Sequence, residues 1–146
     1  MEEKKPIRSF RDLLVYQNTY KSMLIVFDKV LPHLPDQEKY DLKDQLQRAT
    51  KSIPRLIAEG YAKRHQKLGF QKYLDDAMAE CNETIVSLEQ SRDLYGKNID
   101  KVVCGNPIKE NDISGRQIYK LAESWSKFKR REGFGPNPNH QTKPAS

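Results

Sequence analysis

The chain has 146 residues, of which 26 are basic and 20 acidic, giving a formal charge of +6. That length suits one domain with a core of its own, and the two cysteines, Cys81 in a helical pattern and Cys104 in a polar loop, read as reduced thiols rather than a disulfide framework. No apolar run nears the roughly 20 residues of a membrane span, the longest being Met23 to Phe27, and the charged opening Met1 to Pro6 leads into no signal-like segment, so a soluble cytoplasmic protein is expected.

Residues 1–8 form an N-terminal arm. Ser9, with Asp12 three residues on, is a candidate N-cap for the first helix, whose apolar stripe is Leu13, Tyr16, Tyr20, Leu24, Phe27 and Leu31. Pro32 and Pro35 then stop it. The second helix starts between Asp36 and Asp41 and places Leu42, Leu46, Ala49, Ile53, Leu56 and Gly60 on one face. Pro54 lies inside that pattern; because the periodicity continues across it, one kinked helix is expected rather than two. Gly60, on the apolar face, would let another helix approach closely.

The third helix repeats Phe70, Leu74, Ala77, Cys81, Ile85, Leu88, Arg92 and Tyr95, with Gly96 placed to end it. The stretch from Lys97 to Pro107 has loop composition. A fourth helix carries Ile118, Leu121, Trp125 and Phe128, with Ser114 and Gln117 spaced as a capping box, although an earlier start is compatible with the pattern. Residues 133–146 are rich in Pro, Gly and Asn and should form a disordered tail. The prediction is an all-α, up-down four-helix bundle over residues 9–132.

Enzyme chemistry finds little support in these residues. A di-iron bundle needs Glu-x-x-His pairs, but the residues three before His33, His65 and His140 are Val30, Ala62 and Asn137. Zinc spacings, phosphate-cradling glycine loops and a nucleophile elbow are all missing from the sequence, so no metal, cofactor or catalytic residue is assigned. Asp75 and Asp76 are adjacent on a helix and point about 100° apart, which reads as a solvated acidic face. Cys81 on the apolar stripe reads as a small core residue.

The basic excess favours an anionic partner. Arg48, Lys51 and Arg55 share one face of the second helix, opposite its leucines, and Lys63, Arg64 and Lys67 follow, with Lys72 beyond the turn. Against this, Asp44 precedes Arg48 by four and Glu59 follows Arg55 by four, so the same face also reads as a salt-bridge ladder. Lys127, Lys129, Arg130 and Arg131 cluster at the end of the fourth helix around Phe128, more charge than the helix dipole asks for. The first helix has apolar residues beyond one stripe. Leu14 and Ile25 project together on a second side and Val15 and Val26 on a third, which points to self-association through Leu14 and Ile25.

Several segments carry a family resemblance. Phe10-Arg11-Asp12-Leu13-Leu14-Val15-Tyr16-Gln17, the run Leu42 to Ala49, Ser52-Ile53-Pro54, and above all Ile57-Ala58-Glu59-Gly60-Tyr61 resemble the 23S rRNA-intervening-sequence proteins, over roughly residues 9 to 128. The resemblance implies a ring-like homopentameric four-helix bundle. That family is also similar to the accessory variability determinants of diversity-generating retroelements, basic pentamers that bind nucleic acid and a reverse transcriptase. Arg55-Leu56 departs from the small polar Ser-Asn pair common in the family.

The leading expectation is therefore a non-catalytic bundle that oligomerises and binds structured RNA through phosphate contacts at Arg48, Lys51, Arg55, Lys63, Arg64 and Lys67, a ring multiplying each weak patch by avidity. The alternative is a protein-binding adaptor that docks a reverse transcriptase. An enzyme with an unrecognised site ranks third.

Overall fold

The computed structural model describes residues 6–131, so the tail expected at 133–146 and most of the N-terminal arm lie outside the described residues. Four α-helices run in chain order: α1 Leu14–Ile25, α2 Leu42–Ala62, α3 Gly69–Leu94 and α4 Lys101–Arg131. Each packs on the next and α4 returns to α1, closing an antiparallel up-down bundle. Among the described residues there is no strand. The α2–α3 and α3–α4 seams are extensive, whereas α1 touches its two neighbours more thinly.

Ser9 and Asp12 do form a capping box. Ser9 Oγ accepts from Arg11 N at 3.0 Å, and Asp12 Oδ2 accepts from Ser9 N at 3.0 Å and Arg8 N at 2.8 Å. They cap a single 3-10 turn, Phe10–Asp12, and not α1 itself, because Leu13 is extended (ψ 122°) and breaks the path before the α-helix begins. After Ile25 the chain widens into a π-turn, Val26–Val30, then tightens into a 3-10 turn, Leu31–His33, where Pro32 ends it.

The predicted stripe is buried at its two ends, Leu13 and Leu31, but not between them. There Val15, Thr19, Ser22, Val26 and Val30 are buried, whereas Tyr20 and Leu24 are exposed and Tyr16 and Phe27 half-buried. Both faces have helical spacing, so periodicity alone does not choose between them. The larger side chains lost because the buried face must sit close to α4, where small residues fit: Ser22 Oγ accepts from Asn111 Nδ2 at 3.1 Å.

The predicted face of α2 is buried as expected, with Leu56 half-buried and Ile57 added, and α2 passes through Pro54 as one helix. Gly60 meets α3 as anticipated; a Cβ there would lie 2.6 Å from Tyr73 Cβ. On α3 the buried face follows Phe70, Leu74, Ala77, Cys81, Thr84, Leu88 and Ser91, leaving the predicted Ile85, Arg92 and Tyr95 only half-buried. The helix ends at Leu94, next to Gly96, without the left-handed conformation a glycine cap uses.

The fourth helix overturns two expectations. It starts at Lys101, capped by Asp100 Oδ1 accepting from Val102 N at 2.9 Å, so most of the expected loop is helical and Cys104 is buried in the core. Pro107 sits within the helix. Ser114 lies buried in mid-helix and Gln117 leaves its Oε1 buried without a partner, so they form no capping box.

The core divides in two. One cluster gathers Val15, Ile53, Ile57, Phe70, Leu74 and Ile118; the other gathers Val26, Val30, Leu42, Leu46, Leu88 and Ile99. Between them lies a waist of buried small polar residues, including Ser22, Thr50, Thr84, Ser87, Asn111 and Ser114. Thr84 Oγ1 is satisfied within its own helix, donating to Glu80 O at 2.8 Å, whereas Ser22 Oγ is met from α4.

Candidate nucleic-acid interface

Arg48, Lys51 and Arg55 stand on the face of α2 opposite its buried leucines, as their spacing predicts. The ladder reading holds for half of that face. Arg48 Nε pairs with Asp44 Oδ2 at 3.1 Å, but no ion pair forms between Arg55 and Glu59. Arg55 instead lines a shallow groove of about 360 Å³ between α2 and α3, shared with Ser52, Glu59, Asp76 and Glu80. Burial, reinforced by the like charges of Glu83 and Asp76, raises the Glu80 carboxyl above its usual range.

These acids belong to a wider segregation of charge. Helix α3 carries Asp75, Asp76, Glu80, Glu83, Glu89 and Asp93 against only Lys72 and Arg92, while the sequence of α4 holds eight cations against three carboxylates. The outer side of α3 is therefore the wrong sign for a phosphate backbone, whereas α2, the α2–α3 turn and α4 carry exposed cations.

Lys63, Arg64 and Lys67 lie in that turn, which the fold brings beside the end of α4. Lys63 Nζ donates to Tyr73 Oη at 2.6 Å and sits 4.9 Å from the ring centroid; this hydrogen bond holds the Lys63 ammonium above its usual pKa. Arg64 Nη1 donates to Tyr61 O at 2.8 Å, with its guanidinium carbon 4.0 Å from the Tyr61 centroid. Lys67 is exposed and shares a narrow cleft with Leu68, Phe70, Trp125 and Lys129. Lys129 is buried over the Trp125 ring at 5.8 Å, and Lys127 pairs with Glu123 at 3.6 Å. The side chains of Arg130 and Arg131 lie outside the described residues.

The six predicted cations thus divide into an α2 ridge and a turn cluster. Sequence reasoning missed the aromatic partners. Arg64 lies three residues after Tyr61, a spacing legible in a helix, but Tyr73 reaches Lys63 only because the turn folds α3 back on α2. The predicted oligomer residues Leu14 and Ile25 are both exposed, and Leu24 joins them from the stripe that was assigned to the core; Val15 and Val26, assigned to a spare side, are buried.

Among the described residues no cluster of His, Cys, Asp and Glu is arranged to hold a metal ion, and no helix is long and apolar enough to cross a membrane. Burial pushes the Cys81 thiol up to about 12 and raises that of Cys104 as well, so neither is a ready nucleophile at neutral pH.

No curated protein matches the chain. The sequence model of the 23S rRNA-intervening sequence proteins matches residues 11–102, from the capped first turn to the second residue of α4. The match ends at residue 102, whereas the resemblance read from the sequence ran to about residue 128. With α1, α2 and α3 all inside the match, the chain belongs to the 23S rRNA-intervening sequence protein family.

Proposed function

We propose that this protein is a non-catalytic bundle that oligomerises and binds structured RNA through phosphate contacts. The observation carrying this reading is the run of cations from Arg48 through Lys51 and Arg55, on the α2 face opposite its buried leucines, into Lys63, Arg64 and Lys67 of the α2–α3 turn. Its test is an anisotropy titration of the full chain against a structured RNA at several salt concentrations. Affinity should fall steeply with salt, and the double variant Lys51→Glu, Arg55→Glu should make the slope shallower by about two contacts. Binding that ignores salt, or a variant that binds like the parent, would overturn the placement.

Oligomerisation rests on the exposed apolar residues at the two ends of α1, Leu14 (61% exposed) at its start and Leu24 (53%) with Ile25 at its close. A second copy covering this face would multiply the basic ridge around a ring such as a pentamer. Light scattering should then report an assembly that Leu14→Lys, Ile25→Lys converts to folded monomers. A parent chain that is monomeric at tens of micromolar would favour the second reading, in which the same α1 face docks a different protein such as a reverse transcriptase.

A further inference from the structure

The cations of the turn cluster differ from those of the α2 ridge in their surroundings. Tyr61, Phe70, Trp125 and Phe128 form a continuous line of rings, with successive centroids 6.0, 5.4 and 5.2 Å apart. One end of the line carries the Arg64 guanidinium over the Tyr61 ring, 4.0 Å from its centroid and pinned by its bond to the Tyr61 carbonyl. The other end emerges at the surface, where Phe128 is 46% exposed and Leu68, across the cleft, 58% exposed. Lys67 stands beside Leu68 in the cleft that Phe70, Trp125 and Lys129 also line.

Phosphate contact alone needs cations and gains nothing from an exposed ring. A base face is different. It stacks on aromatic rings and on guanidinium planes, and it becomes available only where a strand is unpaired. A guanidinium already pinned by a hydrogen bond loses little freedom when a base stacks on it.

We propose that this end of the bundle takes unpaired nucleotides, the bases stacking on Phe128 and the Arg64 guanidinium while Lys63 and Lys67 hold the phosphates. The proposal rests on the RNA-binding reading above and narrows it to the single-stranded parts of a structured RNA. The α2 ridge, which has cations but no ring line, contributes charge without preference between single strand and duplex.

The test compares an unstructured 15-nucleotide uridine RNA with a 15-base-pair RNA duplex, each titrated with the full chain at one salt concentration. The single strand should bind about tenfold more tightly. Phe128→Ala should weaken single-strand binding about tenfold while changing duplex binding less than about twofold, and Arg64→Lys should lose several-fold on the single strand although the charge is kept. Circular dichroism would verify that both variants fold as the parent does. Equal or tighter duplex binding, with Phe128→Ala silent on both ligands, would overturn the stacking proposal and leave phosphate binding standing. Failure of both ligands to bind would overturn the RNA-binding reading together with this one.

Discussion

Asn111 on α4 donates its side-chain amide to Ser22 Oγ on α1 at 3.1 Å and to the carbonyl of Pro107 at 2.8 Å, in the buried polar waist between the two halves of the core. This is a polar tie between a thinly packed helix and the rest of the bundle, 89 residues apart in sequence. Asn111→Leu should cost about 1–3 kcal/mol, since it leaves buried polar groups unpaired. The double variant Ser22→Ala, Asn111→Leu should recover much of that loss, because both partners become apolar. Urea unfolding of the four members of this cycle measures the coupling, and additive losses would count against the tie.

Gly60 stands where α2 presses on α3. A methyl group there would lie 2.6 Å from Tyr73 Cβ and 3.1 Å from a Phe70 ring carbon, and the Tyr73 atom is anchored to helix backbone. Gly60→Ala should therefore destabilise the fold by about 1–3 kcal/mol despite alanine's better helix propensity. A raised melting temperature would show that the two helices separate more easily than the packing implies.

The two faces of α1 make opposite predictions. Val26→Ala, at a fully buried position, should cost about 1–2 kcal/mol, whereas Leu24→Ala, on the exposed face, should change monomer stability by less than about 0.5 kcal/mol. Denaturation at low protein concentration separates these effects from any loss of assembly.

Glu80 lies one turn from Asp76 and three residues from Glu83, so like charges crowd a partly buried carboxyl whose pKa is raised. A carboxyl raised in the folded state favours the protonated fold. Its effect on stability is most favourable below the unfolded value of 4.5 and is lost as pH climbs through the raised value. Glu80→Gln should accordingly stabilise the protein at pH 7 by about half a kcal/mol, an estimate taken from like-charge helix pairs at partly solvated sites. The gain over the parent should shrink as pH falls toward 4.5; a gain that is constant with pH would place its origin outside the charge.

Cys81 and Cys104 are both buried, and the Cys81 thiol is held near 12 by desolvation. A thiol reagent at pH 8 should label neither in the native protein and both in denaturant. Rapid native labelling at Cys104 would mean that the start of α4 opens readily.

The helices α2 and α3 were legible because each buries one stripe of large apolar residues, such as Leu42, Leu46 and Ile53, against polar outer faces. The cation face of α2 was legible for the same reason: spacing alone sets Arg48 and Arg55 opposite those leucines. In the middle of α1 periodicity pointed to the wrong face. Tyr20 and Leu24 made a stronger stripe than Thr19 and Ser22, yet the small polar residues are the buried ones. The start of α4 was hidden by Gly105, Asn106 and Pro107, which resemble a loop, although Asp100 supplied a cap that outweighed them.

What the sequence determined by itself is the fold class, the outward cation ridge and the family, since all three follow from local periodicity and short residue runs that each helix carries independently. Only the tertiary structure decided which side of α1 is core, because a helix apolar on several sides is oriented by the shape of its neighbours and by a bond such as that from Asn111 to Ser22. Tertiary structure also made the line of rings from Tyr61 to Phe128, whose members come from three helices and meet only when the bundle closes.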